Sequence, residues 1–232
     1  MIFAVDVEAA GHVLRAGRLT CPECGGALRV WARARTRRVH APEGRHVELT
    51  PDRGLCRGCG TSHVVVPAWY VPRRAYTVEM IGAVLLGGAS KAPPAALAEL
   101  LGVPAATAAG WLRVVRRQAV SLIGHAIDVG GPAVGAGRSP ASWLGSDLAE
   151  ALDALGDAAR AFAQAAISAP VMTPTPGRTG IDYLHLIAAE HHRALCQQLH
   201  VADPTGALPS TTPWHLVNLI TARRGLLTAP RH

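Results

Sequence analysis

Hydrophobic positions along this chain change their period as the sequence proceeds. Two early stretches, Leu28 to Val39 and His46 to Thr50, alternate residue by residue as strands do, and together they predict a hairpin. From residue 77 the period becomes helical. Thr77 is placed to cap a first helix through Val78, Ile81, Val84 and Leu85, and Gly87-Gly88 is expected to end it. Pro94 suits the first turn of a second helix, ALAELL, which would bury Leu97, Ala98 and Leu101. Gly102 supplies a sharp turn and Val103 a plug. A third helix then carries one apolar stripe: Ala108, Trp111, Leu112, Val115, Ala119 and Leu122. Small residues at Ala98 and Gly102, flanked by Leu97, Leu101, Val103 and Trp111, are what two steeply crossed helices require. A DNA-binding helix-turn-helix has this pattern, and so does a purely structural helical hairpin.

The second half continues in helices. GGPAVGAGRSP, Gly130 to Pro140, is a flexible linker; with no strand before it and no lysine or serine placed for phosphate, it is not a nucleotide loop. In SDLAEALDALGDAARAFAQAA, Leu148, Leu152, Leu155 and Phe162 point inward. Asp147, Glu150, Asp153 and Asp157 cluster toward its start, where the helix dipole favours them. They are not the carboxylates of a two-metal recombinase core, because those converge from separate strands and this half has no alternating pattern. In IDYLHLIAAEHHRALCQQLH, residues His185, His192, Cys196 and His200 border the apolar face and are expected as boundary residues rather than a metal stripe. PWHLVNLITARRGLL, packing Trp214, Val217 and Ile220, closes the helical half or offers a partner surface. The expected fold is α+β: a zinc ribbon of small antiparallel β structure over 1–75, a helix-turn-helix over 76–125, a linker over 126–141 and an all-α C-terminal half over 142–232.

Charge is unevenly spread. Residues 1 to 125 carry 16 Arg and Lys against 8 Asp and Glu, a net of +8, whereas residues 126 to 232 carry 7 against 8. The basic surface therefore belongs to the first half. Only Lys91 is a lysine, and arginine's planar fork suits phosphate and guanine, although a GC-rich genome would impose the same excess. No leader segment and no apolar run of membrane-spanning length is visible, so a soluble cytoplasmic protein is expected.

Four of the five cysteines form two CxxC pairs, CPECGG from Cys21 and CRGCG from Cys56. Each pair is followed by a glycine, whose positive φ would let backbone N–H groups face sulfur. Two matched knuckles read as one zinc ion held by Cys21, Cys24, Cys56 and Cys59, and a closed four-sulfur shell makes that ion structural. His63 is the alternative fourth ligand, expected instead as a strand or loop residue. Between the knuckles, alternation would put Trp31, Arg33, Arg35 and Arg37 on one strand face with Arg38 adjoining. Such a face suits a phosphate backbone, or is an ordinary solvated surface over the metal site.

The run CPECGG, LCRGCGTSHVVVP, VPRRAYTVEMIGAVLL and GWLRVVRR resembles an uncharacterised family of actinobacterial proteins with an N-terminal zinc ribbon and a helix-turn-helix. These are similar in turn to the zinc-binding N-terminal portions of insertion-sequence transposases. The likeness covers residues 19 to 120, with an echo in PWHLVNLITARRGLL. It implies one structural Zn2+, DNA binding by the third helix and a mobile-element or regulatory setting, and no enzymatic activity. The expected partner is double-stranded DNA, gripped mainly at phosphates by Arg33, Arg35, Arg37, Arg38, Thr107, Arg113, Arg116 and Arg117. A second copy or a recombinase would meet the C-terminal half. Pro104, Ala105, Ala106, Ala109 and Gly110 stand where base-reading side chains are expected, so sequence reading by this helix should be poor. The competing expectation is a zinc-stapled protein-protein adaptor; a complete transposase is excluded by length.

Overall fold

The computed structural model describes residues 1–4, 6–134, 146–168 and 214–221. The expected helix at 181–200, with His185, His192, Cys196 and His200, and the linker residues 135–141 lie outside the described residues. The protein is mixed α+β, with its sheets in the N-terminal part and helices beyond. It divides into two compact units, one holding residues 1–38, 48–70 and 164–168, the other 39–47, 71–163 and the segment 214–221.

In the first unit, β1 (Ile2–Ala4), β2 (Leu28–Arg33), β5 (Asp52–Cys56) and β6 (Ser62–Pro67) form a sheet in the order β1-β6-β5-β2. β1 runs parallel to β6, and the remaining pairs are antiparallel. Helix α1 (Val7–Arg15) begins at Asp6, whose carboxylate accepts from the N–H groups of Glu8 and Ala9 at 2.9 Å, satisfying two donors that a helix start leaves open. Its buried face, Ala10 and Leu14, joins Ile2, Ala4, Leu19, Leu28 and Val65 in one core that also contains Cys21 and Cys56. Close approach of α1 to the sheet depends on Gly54. A methyl there would lie 2.9 Å from Leu14 Cδ1.

The stretch expected as one strand from Leu28 to Val39 is two. β2 pairs with β5, while β3 (Arg37–His40) pairs with β4 (His46–Leu49) in a separate two-stranded sheet. A bulge is the cause. Val30 pairs with Gly54 and Ala32 with Arg53, so Trp31 is an extra residue, and such an insertion bends the strand and ends regular pairing soon after. The predicted hairpin partner of β2 is thus replaced by DRGLC.

In the second unit, the hairpin tip at 39–47 turns through Glu43 and Gly44, both at positive φ, closed by Ala41 N–H donating to Arg45 O at 2.8 Å. His40 ties the hairpin to the segment that enters the helices: its N–H donates to Ala75 O at 2.7 Å, and Thr77 N–H donates to His40 O at 2.9 Å. Its ring stacks on Tyr76, which meets Trp111 edge-on.

Helices α2 (Val78–Ala89), α3 (Pro94–Leu101) and α4 (Ala105–Gly130) pack together, followed by α5 (Asp147–Ser168) and α6 (Trp214–Thr221). Contrary to expectation, Gly87-Gly88 does not end α2. Both lie within it, and their missing side chains are filled by neighbours: a methyl on Gly87 would sit 2.3 Å from Leu97 Cδ2, and one on Gly88 2.1 Å from Leu112 Cδ2. The turn that follows uses Lys91 at φ 64° instead. Gly102 caps α3 in the left-handed region at φ 64°, and Val103 beyond it is buried, as expected. α4 continues past residue 126 to Gly130, so helix occupies the first residues of the predicted linker. On α2, Gly82 receives the Trp214 indole of α6. No described helix is long and apolar enough to cross a membrane.

Candidate metal centre and candidate nucleic-acid interface

The two knuckles are built alike. In the first, Cys21 N–H donates to Gly26 O at 2.7 Å and Gly25 N–H to Cys21 O at 2.8 Å; in the second, Cys56 N–H donates to Thr61 O at 2.9 Å and Gly60 N–H to Cys56 O at 3.0 Å. The glycines that follow each second cysteine, Gly25 and Gly60, have φ of 73° and 71°. That conformation is open to glycine and strained for other residues. It also turns the next N–H onto sulfur, Gly26 to Cys24 and Thr61 to Cys59, while Cys21 accepts from the Glu23 and Cys24 N–H groups of its own turn.

The result is a cluster of four thiols whose Sγ atoms all lie within 4.8 Å of one another, with Cys21 and Cys59 at 3.6 Å and Cys24 and Cys56 at 3.4 Å. A tetrahedral ion with metal–sulfur bonds of about 2.3 Å needs sulfurs about 3.8 Å apart. The spacing fits. Gly26 keeps room for the site, since a methyl there would be 3.3 Å from Cys56 Sγ. Cys21 and Cys56 are buried, and Cys24 and Cys59 are exposed. The donor set is compatible with a metal ion such as zinc.

Their titration points the same way. Hydrogen bonds from the Thr61 hydroxyl and N–H lower Cys59 to about 6. Cys24 is pushed up to about 12: its largest influence, the Gly26 N–H, lowers it, but the neighbouring thiols, Cys56 first, outweigh that. Cys21 is raised, chiefly by burial. Four sulfurs this close cannot all ionise without a cation among them. His63 lies buried with its Nε2 3.3 Å from Cys21 Sγ, at the rim of the quartet. Its ring is within hydrogen-bonding reach of that sulfur, a position an outer-shell donor to a metal thiolate occupies.

The expected arginine row is divided by the bulge. Gly54 faces α1, so its neighbours Arg53 and Leu55 face the other way, and cross-strand pairing places Arg29 with them. Trp31, 55% exposed, joins this outer face, with the Arg53 guanidinium 5.6 Å from its ring centre. Arg33 turns to the α1 side instead. It lies 3.8 Å from Asp52, whose other carboxylate oxygen binds Arg15 of α1 at 3.2 Å. Arg35 and Arg38 are exposed, and Arg37 is engaged with the Tyr70 hydroxyl and ring. Alternation alone extends the Trp31 face back to Arg29, a residue passed over in the sequence, whereas Arg53 is placed beside it only by the β2–β5 register.

On α4, Pro104, Ala105 and Ala106 are exposed and Thr107 half-buried, followed by exposed Arg113, Arg116 and Arg117. Arg116 Nη2 donates to Gly88 O, 3.4 Å away at the end of α2, so this arginine also serves the helix packing. Beyond them the exposed side of α4 becomes apolar, with Val120 76% and Ile127 52% exposed.

A family described as a domain of unknown function (DUF6431) matches residues 21–101. That span holds all four cysteines, α2 and α3, and stops short of α4. No curated protein and no solved structure matches the chain.

Proposed function

We propose that this protein is a non-enzymatic DNA-binding protein in which a zinc ribbon and a helix-turn-helix grip the duplex through its phosphates. The observation that carries the proposal is the α3–α4 arrangement. A left-handed glycine separates two short-linked helices, and the second presents Thr107, Arg113, Arg116 and Arg117 outward from a buried stripe. In this reading Cys21, Cys24, Cys56 and Cys59 hold one structural zinc ion. Zinc supplies cross-linking rather than chemistry, because four thiolates leave it no open position. The arginines attract DNA by displacing counterions, an attraction blind to sequence. Base reading by Ala105, Ala106, Ala109 and Gly110 is minimal, since alanine offers only methyl contact. The likeness to transposase N-terminal portions favours a mobile-element or regulatory setting, with a recombinase or a second copy as protein partner.

The exposed apolar positions Leu100, Val120 and Ile127 favour a second reading, an adaptor in which zinc is a staple and the helices meet protein. Salt separates the two. Duplex affinity that falls steeply with salt, and less steeply in an Arg113→Ala/Arg117→Ala variant, supports DNA binding, each lost phosphate contact reducing the slope by about 1. Absence of measurable duplex binding at low salt refutes it.

A further inference from the structure

Resting on that reading, the geometry points to a second mode of contact: we propose that the outer face of the sheet binds unpaired nucleotides, with Trp31 as the stacking surface. The register of β2, β5 and β6 places Arg29, Trp31, Ala32, Arg53, Leu55, Ser62 and Val64 on this face, on the side away from α1, with Val66 beyond them on β6. Val66 is buried, so the accessible part of the face is the β2–β5 end, where no residue is buried and none is acidic.

The bulge makes the site. Trp31 is the extra residue of β2, at the open edge of the sheet, so its indole stands outside the regular pleat. Arg53 lies over the ring and has no carboxylate partner among the described residues; its Nε is out of solvent and makes no hydrogen bond. A guanidinium held by an aromatic ring keeps its full charge for a phosphate. An exposed indole flanked by two arginines with no acidic partner among the described residues is complementary to a chain of alternating π faces and negative charges, which is single-stranded nucleic acid. A continuous duplex does not offer that surface, because its base faces are stacked on one another. The occupant is therefore a single strand, or the unpaired end or flipped base of a distorted duplex. This also locates a specificity that the alanine-lined start of α4 does not supply: recognition of nucleic-acid structure rather than sequence.

The test uses the zinc-loaded full chain and two fluorescein-labelled probes, an oligothymidylate of about 12 nucleotides and a blunt duplex. Wild type should bind both. Trp31→Ala should weaken oligothymidylate binding about 10- to 100-fold, the range that stacking one base supplies, while duplex affinity changes less than about twofold. Trp31→Phe, which keeps an aromatic face, should recover most of the loss and shows that the strand is still formed. Oligothymidylate binding that is unchanged in Trp31→Ala overturns the inference. Wild type that binds duplex but not oligothymidylate overturns it and leaves the DNA-binding proposal standing. Failure to bind either probe overturns both.

Discussion

Substituting Gly88 by alanine tests the packing of α2 against α4 more directly than any surface change. Within a helix the exchange by itself stabilises by about 1 kcal/mol, because alanine loses less backbone entropy. Here the new methyl would meet Leu112 at 2.1, 3.1 and 3.2 Å from Cδ2, Cδ1 and Cγ. Leu112 is fully buried, with no solvent to retreat into. Overpacking of this kind costs about 1 to 3 kcal/mol, and an overlap this deep belongs at the upper end, leaving a net loss of about 2 kcal/mol. For a chain of this size that lowers the melting temperature by about 4 to 8 °C. Leu112→Ala alone should cost about 3 kcal/mol by opening a cavity. The two changes are complementary, so the double variant should lose about 1 to 2 kcal/mol less than their sum. Gly124, on the exposed side of α4 with nothing within 4 Å of a new methyl, is the control; Gly124→Ala should stabilise by about 0.5 to 1 kcal/mol. Urea unfolding followed by circular dichroism measures all four. A Gly88→Ala protein as stable as wild type, or strict additivity with Leu112→Ala, would refute the packing described above.

Three further outcomes are expected. Cys56→Ser should purify with far less than one zinc per chain by elemental analysis, whereas wild type prepared without chelators carries about one; a metal-free wild type contradicts the site. Arg116→Ala should lower both DNA affinity and stability, the latter by about 1 kcal/mol through its lost bond to Gly88 O, whereas Arg113→Ala and Arg117→Ala should alter affinity alone. Burial raises the Glu79 carboxyl, so the folded state holds that proton more tightly than the unfolded one. The stability it contributes is complete at low pH and lost as pH rises through the folded value. Glu79→Gln should therefore melt higher than wild type near pH 7 and show no advantage near pH 4.

The knuckles were legible because their chemistry is local: two cysteines and a following glycine define a turn whatever surrounds it. The helices were legible for a similar reason, since the stripe from Ala108 to Leu122 repeats often enough to fix its own face. What stayed hidden depends on partners distant in sequence. Nothing about Val30-Trp31-Ala32 signals a bulge; it arises from the register with Gly54 and Arg53, and it moves Arg33 from the outer face to Asp52. Gly87-Gly88 reads as a helix stop until Leu97 and Leu112 are seen to occupy the space. The Asp6 cap and α1 carried a usable signal, an acidic residue before an amphipathic stretch.

The 31-residue spacer between Cys24 and Cys56 has a structural explanation. Its middle, 39–47, belongs to the helical unit, where His40 bonds to Ala75 and Thr77 just ahead of α2. The chain therefore leaves the sheet after the first knuckle, joins the helices, and returns before the second. A metal ion held by both knuckles would close that excursion into a loop, removing from the unfolded state much of the freedom of its ends. Such an ion would then stabilise the sheet that carries both knuckles. Past the bulge, the strand-like residues from Arg37 onward pair with β4 rather than extending β2.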